Sequence, residues 1–271
     1  MRPAGVLAAT ALVLGLSACA PSVRPVAPMA ATTGAPAPAY LPADRRQALA
    51  AAVPPPPAEG SDAARADITA SDRLRALENT DRWLLATRHA ELRPALALSH
   101  FDCALGFRLT AADSPRLVAL LERVLHDANE TAELAKARAH RPRPVAVDPD
   151  RPACQVASPA ARASPSHPSG SATVGAAYGA AFAALVPEQA EVLNEVGHQI
   201  AVSRMVCAMH YPSDVAAGEQ LGLAVFDAIA ATPAFAVDAA AARQEIAAAR
   251  ARGLTSPACA AERSALAIRL P

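Results

Sequence analysis

Apolar positions recur at helical spacing along most of the chain. Ser114-Pro115 reads as a cap followed by proline at the first helical position. Leu117, Leu120, Leu121, Val124 and Leu125 then fall on one face, and the pattern can run on through Asn129 and Leu134 toward Lys136. Arg141-Pro142-Arg143-Pro144 breaks that helix. Helices also fit residues 172–185, 187–209, 213–231 and 234–252, with Pro187 and Pro233 where helices start. Earlier, Leu74, Leu77, Trp83, Leu84 and Leu85 predict one amphipathic helix reaching the region of Leu92-Arg93-Pro94. Ala43 to Ala52 predicts a short helix stopped by the prolines at 54–57, Glu59-Gly60-Ser61 predicts a turn, and residues 145–168 read as an irregular loop. No internal repeat and no second domain is visible.

Composition sharpens this all-α reading. Apolar residues make up 52% but aromatics only 3%; alanine and leucine, both helix formers, supply most of the apolar content, and a large sheet is disfavoured. The formal net charge is zero, and no long basic block exists, so an electrostatic nucleic-acid binder is disfavoured. The first residues read as an export signal: Arg2, then an apolar run from Val6 to Leu16 too short to span a bilayer. Leu16-Ser17-Ala18-Cys19 resembles the lipobox of bacterial lipoproteins, which implies cleavage before Cys19 and lipidation of that thiol; ordinary cleavage after Ala18-Cys19-Ala20 is the competing reading. The domain organisation is therefore a signal peptide at 1–18, a flexible Pro/Ala-rich tether at 19–38 and a helical domain at 39–271, in the periplasm and held at the membrane by its lipid. Cys103, Cys154, Cys207 and Cys259 remain for an oxidising compartment; one or two disulfides are expected, and three full pairings stay open.

Three polar clusters interrupt the helical background. Lys136 is followed after six residues by Arg143-Pro144. Pro168-Ser169-Gly170-Ser171 stands at a helix start. Ser203-Arg204 is followed after five residues by His210 and after three more by Asp214. Lys136, Arg143 and Arg204 supply positive charge and many N–H donors suited to phosphate oxygens. The amides at the helix start beyond Ser169, and its dipole, favour an anion, and Gly170 lets the backbone come close. A neutral imidazole at His210, oriented by the carboxylate of Asp214, can act as a nucleophile. Each cluster alone is bland, being a solvated charge pair, a turn, or an ordinary His–Asp pair; their conjunction is not.

The clusters resemble the signature K-x6-R-P, P-S-G-H, S-R-x5-H-x3-D of the type 2 phosphatidic acid phosphatase superfamily, and within it the bacterial class A nonspecific acid phosphatases. The segments Pro54–Pro57, Phe101-Asp102-Cys103-Ala104-Leu105-Gly106 and Thr232-Pro233-Ala234-Phe235 also look like that subfamily. The resemblance implies an all-α helical bundle of the phosphatidic acid phosphatase and vanadium haloperoxidase kind. It implies phosphate esters as small-molecule partners, no metal and no cofactor, and leaves a homo-oligomer open. His210 would form a phosphohistidine; Asp214 would hold its ring; Lys136, Arg143, Arg204, Ser169 and Gly170 would bind the phosphoryl group. The departure is Ser171, which stands where the family has its proton-donating histidine. Losing a positioned general acid costs roughly 10²–10⁴ in rate, and most for poor leaving groups. His167 or His140 could replace it, though His167 is separated from Ser171 by Pro168 and Gly170. The alternative is a weakened domain that binds an oxyanion with little turnover. A working haloperoxidase is disfavoured, because it needs the same histidine.

Overall fold

The computed structural model describes Met1, residues 39–154 and residues 157–271. The signal peptide, the tether and Cys19 lie outside the described residues. Thirteen α-helices and no strand are found among the described residues: α1 (Ala43–Ala51), α2 (Asp62–Arg73), α3 (Asp81–His89), α4 (Pro94–Ala97), α5 (Asp102–Leu105), α6 (Pro115–Lys136), α7 (Pro144–Val147), α8 (Pro159–Ala163), α9 (Gly170–Leu185), α10 (Ala190–Val206), α11 (Pro212–Ala230), α12 (Pro233–Arg252) and α13 (Cys259–Ala267).

The centre of the bundle is α9. Its sequence is small and apolar all round, so no face is left for water, and α10, α11 and α6 pack against it. Glycines set how close these helices come. A methyl group on Gly197 of α10 would lie 2.6 Å from the carbonyl oxygen of Gly175 on α9. One on Gly218 of α11 would collide with the carbonyl oxygen of Ser169. From the other side α6 presents Leu117, Leu120, Leu121 and Val124, all fully buried. Each such side chain contributes about 1.5–3 kcal/mol when removed from water. Phe101 stacks on Phe182 of α9 with ring centroids 4.0 Å apart, closing the core beside α5.

Several local expectations are corrected by tertiary structure. The helix predicted across 71–92 is broken into α2, a 3-10 turn at Leu74–Leu77, and α3. Asn79 takes a left-handed φ of 63°, and Thr80 caps α3 by accepting the Trp83 N–H at 3.4 Å. Ser114 does not cap α6 through its side chain. Instead the Glu245 carboxylate of α12 accepts the N–H groups of Arg116 and Leu117 at 3.0 and 2.9 Å, doing from across the bundle what a local cap would do. The 145–168 loop contains the short helices α7 and α8, and Pro187 opens only a 3-10 turn before α10.

The cysteines pair as Cys103–Cys259 and Cys154–Cys207. The first docks α13, together with an Arg88–Glu262 ion pair at 2.9 Å, so the C-terminal tail is not loose. The second ties the 150s loop to the end of α10. No single helix among the described residues is long and apolar enough to cross a membrane.

Because the Gly218 contact is with backbone, the structure cannot relieve a side chain there by a rotamer change. Gly218→Ala is expected to lower the unfolding free energy by about 1–3 kcal/mol, in the range of overpacked core substitutions. Urea unfolding checks this, and an unchanged midpoint would mean α9 and α11 are less closely apposed than described.

Candidate active site

The residues singled out from sequence come from the ends of the four packed helices. Lys136 is the last residue of α6, Gly170 the first of α9, Arg204 lies in the last turn of α10, and Asp214 in the first turn of α11. His210 sits in the turn between α10 and α11. That turn is held by Ala208, whose φ is 57°, and by a hydrogen bond from the Val145 N–H to the Ala208 carbonyl at 3.2 Å. Neighbouring Cys207 carries the disulfide to Cys154. Arg143 immediately precedes α7, so its guanidinium and the turn bearing His210 face one another.

The Arg143 Nη1 lies 2.9 Å from His210 Nε2. Arginine can only donate, so Nε2 must accept, and the ring proton is on Nδ1. That N–H donates to the Ser166 carbonyl at 2.8 Å. The tautomer that leaves a lone pair on Nε2 is thereby fixed. Burial, and then the charges of Arg143, Arg204 and Lys136, push the His210 imidazole well below its ordinary pKa, so it is neutral.

The cations are nearly sealed from water. His210, Arg143, Arg204 and Lys136 are all buried. Arg143 is well bonded, donating to the Met209 carbonyl at 3.1 Å and to Ser164 Oγ at 2.9 Å. Lys136 Nζ pairs with Glu133 at 2.6 Å, yet burial, outweighing this partner, lowers its pKa. Arg204 differs. Its Nε and Nη1 are buried and have no hydrogen-bond partner, and burial followed by repulsion from Arg143 lowers its pKa to about 10. Buried donors without acceptors cost about 1–3 kcal/mol, more when charged, so Arg204 points to an anion that completes the site.

At the start of α9, Ser169 Oγ accepts the Ala172 N–H at 3.3 Å as an N-cap. The helix leaves the Gly170 and Ser171 amides without intrahelical acceptors. A methyl on Gly170 would sit 3.3 Å from Lys136 Nζ, which places this helix end against the cation cluster.

Asp214 is where the geometry departs from the expected arrangement. Its carboxylate does not contact the imidazole directly. It accepts from Arg141 at 2.7 Å, Ser166 Oγ at 2.6 Å and the Tyr211 N–H at 2.9 Å, with His167 Nδ1 at 3.2 Å. Burial would raise its pKa, but these hydrogen bonds and the Arg141 charge hold the carboxyl below the usual range. Ser166 stands between Asp214 and His210, its Oγ 3.4 Å from the ring Nδ1. Arg141 also pairs with Asp67 at 2.7 Å and stacks on Tyr211. Sequence reasoning missed Arg141, Ser166 and Asp67. Arg141 lies two residues before Arg143 and was read only as part of a helix breaker; Ser166 and Asp67 carry no local signal at all.

The other motif residues sort as follows. Ser203 accepts from Arg82 Nη1 at 3.1 Å and bonds His89 Nδ1 at 2.9 Å. The two histidines considered as alternative proton donors are otherwise placed. His167 uses both ring nitrogens, on Asp214 and on the Pro54 carbonyl at 2.9 Å, and His140 is exposed. Among the described residues no three His, Cys, Asp or Glu side chains gather as a metal site.

The sequence pattern of the PAP2 superfamily matches residues 118–236, which include all three clusters. The chain is 35% identical to an acid phosphatase of Zymomonas mobilis over 165 residues, 60% of this chain and 62% of that protein. It is 28% identical to a non-specific acid phosphatase of Providencia stuartii over 186 residues, 68% of this chain and 75% of that protein. A non-specific acid phosphatase of Salmonella typhimurium is 27% identical over 195 residues, 72% of this chain and 78% of that protein.

The buried histidines make stability depend on pH. His89, His100 and His210 all have pKa values lowered chiefly by burial, His100 to about 4. Each is harder to protonate folded than unfolded, so protons favour the unfolded chain once pH drops below the unfolded value of about 6.5. Stability should be full above that pH and fall below it, by up to about 1.4 kcal/mol per pH unit for each histidine. Urea unfolding at pH 7.5, 6.5 and 5.5 measures the slope; a flat profile would show that the three rings take up protons as readily in the fold as in the unfolded chain.

Proposed function

We propose that the chain, whose residues 118–236 match the sequence pattern of the PAP2 superfamily, is an acid phosphatase of that superfamily. Phosphate monoesters would be hydrolysed on His210. The observation that carries this reading is the pairing of a neutral His210, its Nε2 lone pair facing Arg143, with an Arg204 whose buried donors lack acceptors. A phosphoryl group supplies what both lack, an electrophile for the first and oxygens for the second.

In the proposed reaction the substrate's phosphoryl oxygens take donors from Arg204, Arg143, Lys136 and the Gly170 and Ser171 amides, and the Ser169 hydroxyl can turn its proton toward them. The Nε2 lone pair forms a bond to phosphorus as the bond to the leaving oxygen breaks. Positive charge developing on the ring is met by the Ser166 carbonyl, and by Asp214 one hydroxyl away. Water then attacks the phosphohistidine, releasing phosphate and restoring the imidazole. Ser171 cannot protonate the leaving oxygen, since a hydroxyl is far too weak an acid near neutral pH. The same gap motivates the alternative reading, an oxyanion-binding domain with little turnover.

We further propose that the protein is exported to the periplasm and lipid-anchored through Cys19. The two disulfides support an oxidising compartment. On this reading Cys19→Ser leaves the protein in the soluble fraction of fractionated cells, and retention in the membrane fraction would count against lipidation.

Phosphate release from an aryl and an alkyl phosphate, followed across pH 4–8, tests the catalytic proposal. His210→Ala should abolish turnover. Ser171→His should raise turnover of the alkyl ester by roughly 10²-fold or more, the size of a restored general acid, and change the aryl ester far less. Wild-type release no greater than that of His210→Ala, with phosphate still raising the melting temperature, would leave the binding reading in place.

A further inference from the structure

Helix α2 is not held by apolar burial. Its buried positions are Ala64, Asp67 and Ser71, spaced for one helical face, while its Ile68 is exposed. The two polar residues of the buried face each meet an arginine. Ser71 takes Arg151, whose Nη1 reaches its Oγ at 2.8 Å. Asp67 takes Arg141, whose Nη2 lies 2.7 Å from Oδ2. Asp67 also accepts the Ser213 N–H at 3.1 Å, an amide in the first turn of α11, and the Ser213 hydroxyl. All of these partners donate, as an ionised carboxylate requires.

The other terminal nitrogen of the same guanidinium, Nη1, lies 2.7 Å from Asp214 Oδ1 and 2.8 Å from Ser213 Oγ. Two buried carboxylates thus share one arginine that is itself largely buried. A carboxylate turned inward on a helix is costly, and an apolar side chain at the same place is often no less stable. The stability of α2 therefore does not account for Asp67. Charge does. Arg141 paired with Asp214 alone would be a neutral pair and would project little field. With Asp67 on the far nitrogen, the row Asp67–Arg141–Asp214 carries two negative charges against one positive. Asp214 then keeps its charge for Ser166, whose Oγ donates to it at 2.6 Å, and Ser166 in turn accepts the His210 Nδ1–H through its carbonyl at 2.8 Å.

We infer that Asp67 is a positioning residue for the reaction proposed above. From a helix outside residues 118–236 it holds Arg141 and the start of α11 in place, and it keeps Arg141 from cancelling the Asp214 charge. Its hydrogen bonds go to Arg141 and Ser213 and not to His210, so it acts through the row and not on the ring. Its effect belongs to the attack. A neutral imidazole gains little from a carboxylate behind it, whereas the ring gains positive charge as Nε2 bonds to phosphorus, and only an interaction stronger at that point accelerates the step. The inference rests on the phosphatase reading above.

The test uses the full-length protein and measures kcat/KM for nitrophenyl phosphate beside the inhibition constant of inorganic phosphate, which reports the cage without the attack. Asp67→Asn removes the charge at nearly constant shape. Arg141→Lys keeps the charge but replaces the fork by a single nitrogen, which cannot bridge the two carboxylates in the same way. Asp62→Asn, at the exposed end of the same helix, is the control and should match wild type. Each of the first two variants should lower kcat/KM about 10-fold, within the range for members of one hydrogen-bonded network, while phosphate inhibition stays within about 2-fold of wild type. Unchanged kcat/KM in folded Asp67→Asn, or phosphate inhibition lost in parallel with kcat/KM, would overturn the inference and leave the phosphatase reading standing; the second result would mean that Asp67 only keeps the cage folded. If thermal unfolding shows Asp67→Asn to be unfolded, Arg141→Lys decides by the same criteria. Wild-type turnover no greater than that of His210→Ala would sink both readings.

Discussion

Mutual repulsion among Lys136, Arg143 and Arg204 is the constraint on which the rest of the site depends. The three are buried, and their charges act on one another and on His210. Like charges gathered away from water raise the energy of the folded chain unless something compensates. Compensation is partial: Glu133 meets Lys136 at the surface, carbonyl oxygens and Ser164 meet Arg143, and Arg204 keeps two unpaired donors. The repulsion also does chemistry. It adds to burial, the larger cause, in opposing a fourth positive charge on His210, and so helps keep the ring neutral.

Holding that cluster demands rigid support, which comes from helix ends. Apart from Arg143, which immediately precedes α7, each cage residue lies at a terminus of α6, α9, α10 or α11 or in the turn joining the last two, and the helices are pinned by glycine contacts at Gly197 and Gly218. Asp214 is the counterweight. One carboxylate accepts from Arg141, Ser166 and the Tyr211 amide, and so joins the stretch before Arg143, the stretch before Ser169, and α11. Ser166 then passes the constraint to the imidazole through its own carbonyl. Asp214 therefore helps fix where His210 stands without touching it, and it places negative charge one group behind the ring, where it would favour the cation that the proposed attack forms.

How much of this was legible in the chain follows from how local each interaction is. Helices α6, α11 and α12 announce themselves by proline at the first position and long apolar periodicity, and the structure starts them at Pro115, Pro212 and Pro233. The convergence of Lys136, Arg143, Ser169, Gly170, Arg204 and His210 could be anticipated because their spacings match a known pattern. The break at Asn79 was not legible, since Leu74, Leu77 and Trp83 keep helical spacing across it while the backbone turns left-handed. Nor were the Glu245 cap on α6, the disulfide partners, or the roles of Arg141 and Ser166. In each of these the partners are remote in sequence, and no periodicity encodes which distant side chain will arrive.

Ser171 is best understood through the same repulsion. An imidazole at that position would stand in the first turn of α9, where the helix dipole opposes positive charge, and beside a cage that already holds three cations. To act as a general acid it would have to be protonated there, against both fields, until the phosphoryl group arrived with its negative charge. Serine removes that penalty, leaving one fewer titrating group in the cage and a first turn of α9 free to serve the anion. The loss is confined to the leaving-group side. On the proposed reading the nucleophile, cation cage and Asp214 network all remain assembled, so the electrostatic part of phosphoryl transfer would be retained while proton delivery would not. Chemistry that survives such a loss is the kind in which the departing oxygen carries its own charge away.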